Sequence, residues 1–252
     1  MKVRKILIIA LLIVISKSFL YGQVVDSIPE KKESKATEII GIALPSAMIT
    51  YGLISLGNNG VRKVDFKVRN SLERHNKFWY IHTDYYLQFA PAVAAYSMKF
   101  CKVENTHNLL DMTILYGLSN ILAGGIVQGT KIIAGRERPD YSNNHSFPSG
   151  HTQTAFVAAE FLYQEYKDKS IWISIGGYSV ATFVGVARVY NNKHWVSDVV
   201  AGAGIGILST KAVYWAYPFL QKKLGKKNQA LHTFILPRYS NGNLSLALSY
   251  IY

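Results

Sequence analysis

The chain has 252 residues and a formal net charge of +13 at pH 7, which is enough length for one domain with a substantial core. Its Lys and Arg residues are scattered and form no base-reading module, so the composition argues against nucleic acid and favours anionic lipid headgroups as partners. Cys101 is the single cysteine, so no intrachain disulfide can form, and its apolar surroundings predict a core residue.

The first 22 residues predict an export signal. Lys2, Arg4 and Lys5 precede an apolar run over residues 6–15, and Gly22 fits a cleavage site. An uncleaved N-terminal anchor stays open as the alternative. Residues 23–35 are interpreted as a short charged linker that is too polar to pack.

Residues 36–227 predict an all-α domain, with a bundle of six helices. The apolar stretches cover residues 39–56, 86–100, 109–133, 152–166, 171–189 and 199–220, with no alternating strand pattern between them. Small residues over 201–206 permit close helix contacts. The basic, aromatic segment 57–84 has weak periodicity and its structure is left open. Within it, His82 and Asp84 are interpreted as structural residues.

Three of these stretches come near the 20 or so apolar residues that a membrane span needs. They are residues 39–56, 109–133 and 199–220, whereas residues 152–166 contain two glutamates. The mean hydropathy of +0.09 is low for a protein with six spans. We therefore expect a membrane-associated bundle in the bacterial cell envelope with its site facing the periplasm, and the number of spans stays open.

The segment from residue 131 to residue 198 carries the residue types that phosphoryl transfer needs. The reaction needs fixed positive charge around the phosphate oxygens, which Lys131, Arg138 and Arg188 can supply. The planar fork of Arg meets phosphate oxygens bidentately, whereas Lys acts as a point charge. Taken alone, the Arg136 to Pro139 run is typical of a solvated charged turn.

Two histidines in the same segment can supply a nucleophile and an acid. Imidazole titrates near neutral pH and can form a covalent intermediate, so His151 and His194 are the candidates. Ser149 and Gly150 precede His151, where a helix start would aim free N–H groups at an anion. Asp198 follows His194 by four residues, so on a helix its carboxylate could hold Nδ1–H and leave Nε2 to attack.

The C-terminal segment 228–252 has a different character. Residues 233–237 and 244–252 predict two short strands around the Asn241-Gly242 turn, which is a typical β-hairpin signal. The last strand ends on an aromatic residue, as strands of outer-membrane barrels do, but one hairpin cannot close a barrel. We expect a hairpin tail on the helical domain.

The three motifs together resemble the type 2 phosphatidic acid phosphatase superfamily, which includes class A acid phosphatases, lipid phosphatases and vanadium haloperoxidases. The pattern is Lys-x6-Arg-Pro, then Pro-Ser-Gly-His, then Arg-x5-His-x3-Asp, and the likeness extends over about residues 36–220. The resemblance also implies six helices. One position departs, because Ala187 stands where the family usually has Ser, which removes one hydroxyl contact with substrate.

The resemblance implies a role for each motif residue. His194 is implied to become phosphohistidine, with Asp198 as its orienting partner and His151 as the general acid. The implied phosphate cradle consists of Lys131, Arg138, Ser149, Gly150 and Arg188. No metal or cofactor is implied.

The sequence thus predicts a metal-independent phosphatase acting on phosphate monoesters or diphosphates. A lipid phosphate is the favoured substrate, such as lipid A, undecaprenyl diphosphate or phosphatidic acid. Three alternatives stay open: a periplasmic acid phosphatase on soluble monoesters, a vanadate-dependent haloperoxidase, and a non-catalytic basic envelope protein that binds anionic lipid. The oligomeric state stays open as well.

Overall fold

The computed structural model describes residues 35–75, 80–225, 232–240 and 243–251. The predicted export signal lies outside these residues, as does the linker apart from its last residue, with which the first helix begins. The chain divides into two compact units, Met1–Lys211 and Ala212–Tyr252. The functional residues predicted above all belong to the first unit.

The described residues form eight helices. They are α1 (Lys35–Ile54), α2 (Gly60–His75), α3 (Asp84–Leu87), α4 (Ala90–Phe100), α5 (Leu109–Ala134), α6 (Gly150–Tyr166), α7 (Ile171–Tyr190) and α8 (Val196–Gly225). The count of six is therefore too low for this part of the chain. Of the two additional helices, α2 lies in the segment that the sequence left open, and α3 begins at the last residue of that segment.

Helix α2 is held together by polar contacts that apolar periodicity does not report. The Asn59 side chain accepts a hydrogen bond from the N–H of Arg62 at 3.1 Å and so caps the helix start. Arg69 and Glu73 form an i,i+4 ion pair at 2.8 Å. The side of α2 that faces the bundle carries Asp65, which is 1% exposed. An acid at a buried position breaks the apolar pattern.

Helix α5 has a defined start and end. The Asn108 side chain accepts from the N–H of Asp111 at 2.9 Å, and Gly135 ends the helix in the left-handed conformation at φ 52°. A residue with a Cβ is disfavoured at this φ. The turn at Gly135 directs the chain away from the helix just before Arg136.

The backbone of α8 makes close contacts with its neighbours. A Cβ added at Gly202 would lie 2.5 Å from the carbonyl oxygen of Ser149, and one added at Gly206 would lie 2.6 Å from that of Gln153. Gln153 lies in α6, and Ser149 is the residue before it. The expectation that small residues over 201–206 allow close helix contact is therefore confirmed. The adjoining apolar core consists of Ala155, Phe156, Ala159, Ala181, Val184, Ala203 and Ile207.

Four described helices are long and apolar enough to cross a membrane. These candidate spans are Ala36–Ile54, Leu109–Ala134, Ile171–Tyr190 and Val196–Lys222. Three of them match the expected stretches, and α7 is the addition. Within α6, the fully buried Glu160 pairs with Lys211 at 3.0 Å. The apolar helices support a membrane protein.

Two further features concern the ends of elements. Cys101 follows the last residue of α4 and is exposed, so its prediction as a core residue is wrong, because a helix end falls within the apolar run. In the second unit, β1 (His232–Ser240) pairs antiparallel with β2 (Asn243–Ile251). Residues 241 and 242, where the turn was expected, lie outside the described residues, and the role of the tail stays a prediction.

Candidate active site

The predicted site residues all lie at helix ends or in the turns beside them. Lys131 is in the last turn of α5 and Arg188 is in the last turn of α7. Ser149 precedes α6, which begins with Gly150 and His151. His194 lies in the turn before α8, and Asp198 is in the first turn of that helix.

The His194 ring is oriented by a backbone carbonyl. Its Nδ1 lies 2.8 Å from the carbonyl oxygen of Ser146 and 3.6 Å from Oδ2 of Asp198. A carbonyl oxygen can only accept, so Nδ1 carries the proton and Nε2 carries the lone pair. The expectation that Asp198 holds Nδ1–H is therefore corrected, because His194 precedes α8 and the loop before α6 comes closer.

Asp198 instead binds Ser146, whose carbonyl contacts His194, and Trp195, which follows His194 in the chain. Its Oδ2 accepts hydrogen bonds from the Ser146 hydroxyl at 2.5 Å and from the Trp195 N–H at 2.9 Å. Its Oδ1 accepts from Nη1 of Arg136 at 2.6 Å. The carboxylate is fully buried, so it orients the imidazole through neighbouring residues.

Arg136 is a buried residue that the sequence interpretation missed. Its side chain is 3% exposed, and Nη2 donates to Oδ2 of Asp65 at 2.6 Å. Nη1 also donates to the Ser197 hydroxyl at 2.8 Å. The solvated-turn interpretation is wrong for this residue. Two features of the sequence could have indicated that Arg136 is buried. It directly follows Gly135, which ends α5, and Asp65 is the single acid in the first half of the basic helix α2.

Lys131 ties α5 to the loop before α6. Its Nζ donates to the carbonyl oxygens of His145 at 2.8 Å and Pro148 at 2.7 Å. Two carbonyl acceptors leave one of the three ammonium donors for another partner. Lys131 therefore fixes the loop that precedes Ser149 and also places a positive charge beside it.

The turn at Ser149 is held by α8 and by its own helix. The N–H of Ser149 donates to the carbonyl oxygen of Asp198 at 3.0 Å, and its hydroxyl bonds to that of Thr152 at 2.9 Å. The next N–H groups, from Gly150 and His151, belong to the first turn of α6 and have no intrahelical acceptor. They are the backbone donors that the turn can offer to an anion.

Arg188 and Arg138 have donors suited to an anion. Arg188 Nη1 donates to Oδ2 of the fully buried Asp84 at 2.8 Å. Across the residues that the structure describes, the buried Nε atoms of Arg138 and Arg188 have no hydrogen-bond partner. Buried donors are usually paired, and guanidinium groups pair well with phosphate oxygens. Asp84 thus holds a candidate cradle residue in place, while the His82 ring packs against that of Tyr80 with 4.5 Å between centroids. Their interpretation as structural residues stays a prediction.

Both histidines are neutral at pH 7. Burial, followed by the nearby Arg188, lowers the pKa of His151 from 6.5 to about 4. Burial also lowers the pKa of His194 to about 4, against the opposing effect of Asp198. Lys131 acts on both imidazoles in the same direction. The structure therefore brings the two imidazoles and the predicted cations into one electrostatic neighbourhood.

Two further observations concern the position of Ala187 and the groups that could bind a metal ion. Ala187 is fully buried, and its methyl side chain has no hydroxyl to offer to a ligand. Among the described ranges, no group of three or more His, Cys, Asp or Glu residues is arranged to hold a metal ion.

The chain is similar to a known family and to two characterised phosphatases. Residues 112–222 match the family model of the PAP2 superfamily. A lipid A 1-phosphatase from Porphyromonas gingivalis is 37% identical over 164 residues, which cover 62% of this chain and 37% of that protein. Phosphatidylglycerophosphatase B from Bacillus subtilis is 37% identical over 86 residues, which cover 29% of this chain and 42% of that protein. The chain thus spans about two fifths of each relative.

One solved structure has a similar fold. It is the crystal structure of a transmembrane PAP2-type phosphatidylglycerolphosphate phosphatase from Bacillus subtilis, with a TM-score of 0.50 and 22% sequence identity. The match covers 74% of this chain and 98% of that chain. At this identity the likeness concerns the fold alone.

Proposed function

We propose that the chain, whose residues 112–222 match the PAP2 superfamily, is a metal-independent phosphatase working through a phosphohistidine. The observation that carries the proposal is the state of His194. Its Nδ1 donates to the Ser146 carbonyl, so the neutral ring has its lone pair on Nε2. A neutral, oriented imidazole is what a nitrogen nucleophile requires.

In the first step, Nε2 of His194 attacks phosphorus and the bond from phosphorus to the leaving oxygen breaks. Lys131, Arg138 and Arg188 hold the phosphate oxygens, together with N–H groups of the turn at Ser149 and Gly150. This fixed positive charge can serve where other phosphatases use metal ions.

In this step His151 gives its proton to the leaving oxygen. The cations that lower its pKa are the ones that bind substrate, so a bound dianion offsets their effect and favours the protonated imidazole. In the second step, water attacks phosphorus, His151 takes a proton from that water, and the bond to His194 breaks. Phosphate leaves and both histidines return to their starting state.

We infer that the substrate is a lipid phosphate. Lys131 and Arg188 lie at the ends of two candidate membrane spans, where a lipid phosphate headgroup would also lie. Lipid A, undecaprenyl diphosphate and phosphatidic acid remain the candidate substrates, and the names of the two relatives agree with this class.

The direct test compares the wild type with His194→Ala in detergent micelles, measuring phosphate released from a panel of these lipids. His145→Ala is the matched control, because this exposed histidine lies in the loop before α6. We expect phosphate release from the wild type and the control only, with inhibition by vanadate and no inhibition by EDTA. Undiminished turnover by His194→Ala would refute the nucleophile assignment.

The same assays separate the alternatives. An acid phosphatase would prefer soluble monoesters over the lipid panel, and a lipid-binding protein without activity would release no phosphate. Halide oxidation with added vanadate and peroxide would identify a haloperoxidase.

We also infer a periplasmic orientation of the site in the cell envelope, supported by the export signal that the sequence predicts. The test is labelling of a single cysteine at exposed Asn144 with a membrane-impermeant reagent in intact cells. Cys101 is exposed and must first be replaced by Ser. Labelling only after cell lysis would show that the site faces the cytoplasm and would overturn the inference.

A further inference from the structure

Tyr85 is an aromatic residue in direct contact with the candidate acid. Its ring centroid lies 4.9 Å from that of His151, with an interplanar angle of 88°. This is an edge-to-face arrangement of the kind that aromatic pairs favour. Tyr85 is 43% exposed, so its ring forms part of the wall of the site.

The same side chain also contacts the phosphate cradle. The guanidinium carbon of Arg188 lies 5.6 Å from the centre of the Tyr85 ring. Hydrogen bonding to Tyr80 and then to Arg188 lowers the pKa of the Tyr85 hydroxyl. The preceding residue, Asp84, binds Arg188 at 2.8 Å. Two adjacent residues of α3 therefore contact Arg188, and one of them also touches His151.

We propose that Tyr85 is a positioning residue that fixes the side chains of His151 and Arg188 relative to each other. Its ring packs against both groups, with the imidazole centroid 4.9 Å away and the guanidinium carbon 5.6 Å away. The inference rests on the proposed function, in which His151 protonates the leaving oxygen while Arg188 holds the phosphate. A proton donor must stay within hydrogen-bond reach of its acceptor, and a misplacement of about 1 Å can lower the rate about a hundredfold.

The two parts of the side chain have separate consequences. Without the ring, the His151 imidazole is less well oriented, so the protonation of the leaving group slows more than the other parts of the reaction. A good leaving group such as nitrophenolate needs little protonation, whereas an alkoxide needs it strongly. Without the hydroxyl alone, the ring and both of its contacts remain, so the imidazole and the guanidinium stay in place.

The experiment compares Tyr85→Ala and Tyr85→Phe with the wild type on nitrophenyl phosphate and on an alkyl phosphate of the same charge. Tyr86→Ala is the control, because Tyr86 is the neighbouring residue and is 81% exposed. We expect Tyr85→Ala to lower kcat for the alkyl ester at least about tenfold more than for the nitrophenyl ester. Tyr85→Phe should keep the wild-type ratio of the two rates, because the ring and its contacts remain.

An equal loss on both esters in Tyr85→Ala would overturn the proposal, since general damage to the fold acts on both. A Tyr85→Phe variant that loses as much activity on the alkyl ester as Tyr85→Ala does would overturn the role of the ring. Tyr86→Ala should match the wild type in both measurements. Failure of the proposed function gives a different result, in which the wild type hydrolyses neither ester.

Discussion

Arg136 and Asp198 form a buried ion pair, with Nη1 of the arginine 2.6 Å from Oδ1 of the carboxylate. The second nitrogen of the same guanidinium lies 2.6 Å from Asp65. One cation thus joins α2 to the first turn of α8, directly beside His194. Because both carboxylates are fully buried, each depends on Arg136 to offset the cost of its burial.

We predict that Arg136→Gln strongly destabilises the protein and lowers its phosphatase activity. The variant leaves two carboxylates buried without their cation, and breaking a buried pair in this way costs about 3–5 kcal/mol. Thermal unfolding in detergent measures the effect. The control is Glu73→Gln, which breaks the partly exposed pair with Arg69 and should cost less than about 1 kcal/mol. Similar losses in both variants would contradict the prediction.

We predict that Gly202→Ala reduces both stability and turnover. The added Cβ would lie 2.5 Å from the Ser149 carbonyl oxygen, so α8 and the turn before α6 must separate. Overpacking of this kind costs about 1–3 kcal/mol. Gly129→Ala is the matched control in α5, because a Cβ there meets nothing within 4 Å and Ala favours a helix. The prediction fails if the two variants unfold at the same temperature with equal activity.

We predict that stability falls as the pH is lowered from about 6.5 to about 4. Burial lowers the pKa of both His151 and His194 from 6.5 to about 4, so in this window the unfolded chain binds more protons than the folded one. Their contribution is fully present above pH 6.5 and is lost as the pH falls through about 4. Unfolding temperatures across this range measure it. His194→Gln should flatten the slope relative to the wild type and to the exposed-site control His145→Gln, and an unchanged slope would count against it.

We predict that a bound oxyanion raises the pKa of His151. After burial, the positive charge of Arg188 is the largest influence that lowers this pKa, and Arg138 and Lys131 add to it. Phosphate or vanadate placed among these cations offsets their charge. Titration of the imidazole by NMR with and without vanadate should show the shift. An identical titration in both states would mean that the anion binds elsewhere.

The sequence alone was sufficient to predict a phosphate site and to nominate its residues. The spacing of Lys131, Arg138, His151, Arg188 and His194 indicated a phosphate site, and the family match agrees with that reading. Apolar periodicity likewise located six of the eight described helices, because burial of one helix face imposes a repeat that is visible in the residue types. These signals are local.

Only the tertiary structure decided which groups orient His194, the proposed nucleophile. Nδ1 of His194 contacts the backbone carbonyl of Ser146, which lies 48 positions earlier in the chain. The direction of a backbone carbonyl cannot be predicted from the residue type. Asp65 binds Arg136, which lies 71 positions later in the chain. Because Asp65 is a charged residue at a buried position of the basic helix α2, apolar periodicity could not reveal the buried face of this helix. Hydrogen bonds and buried ion pairs depend on how helix ends pack together, whereas sequence spacing constrains only neighbours along one element.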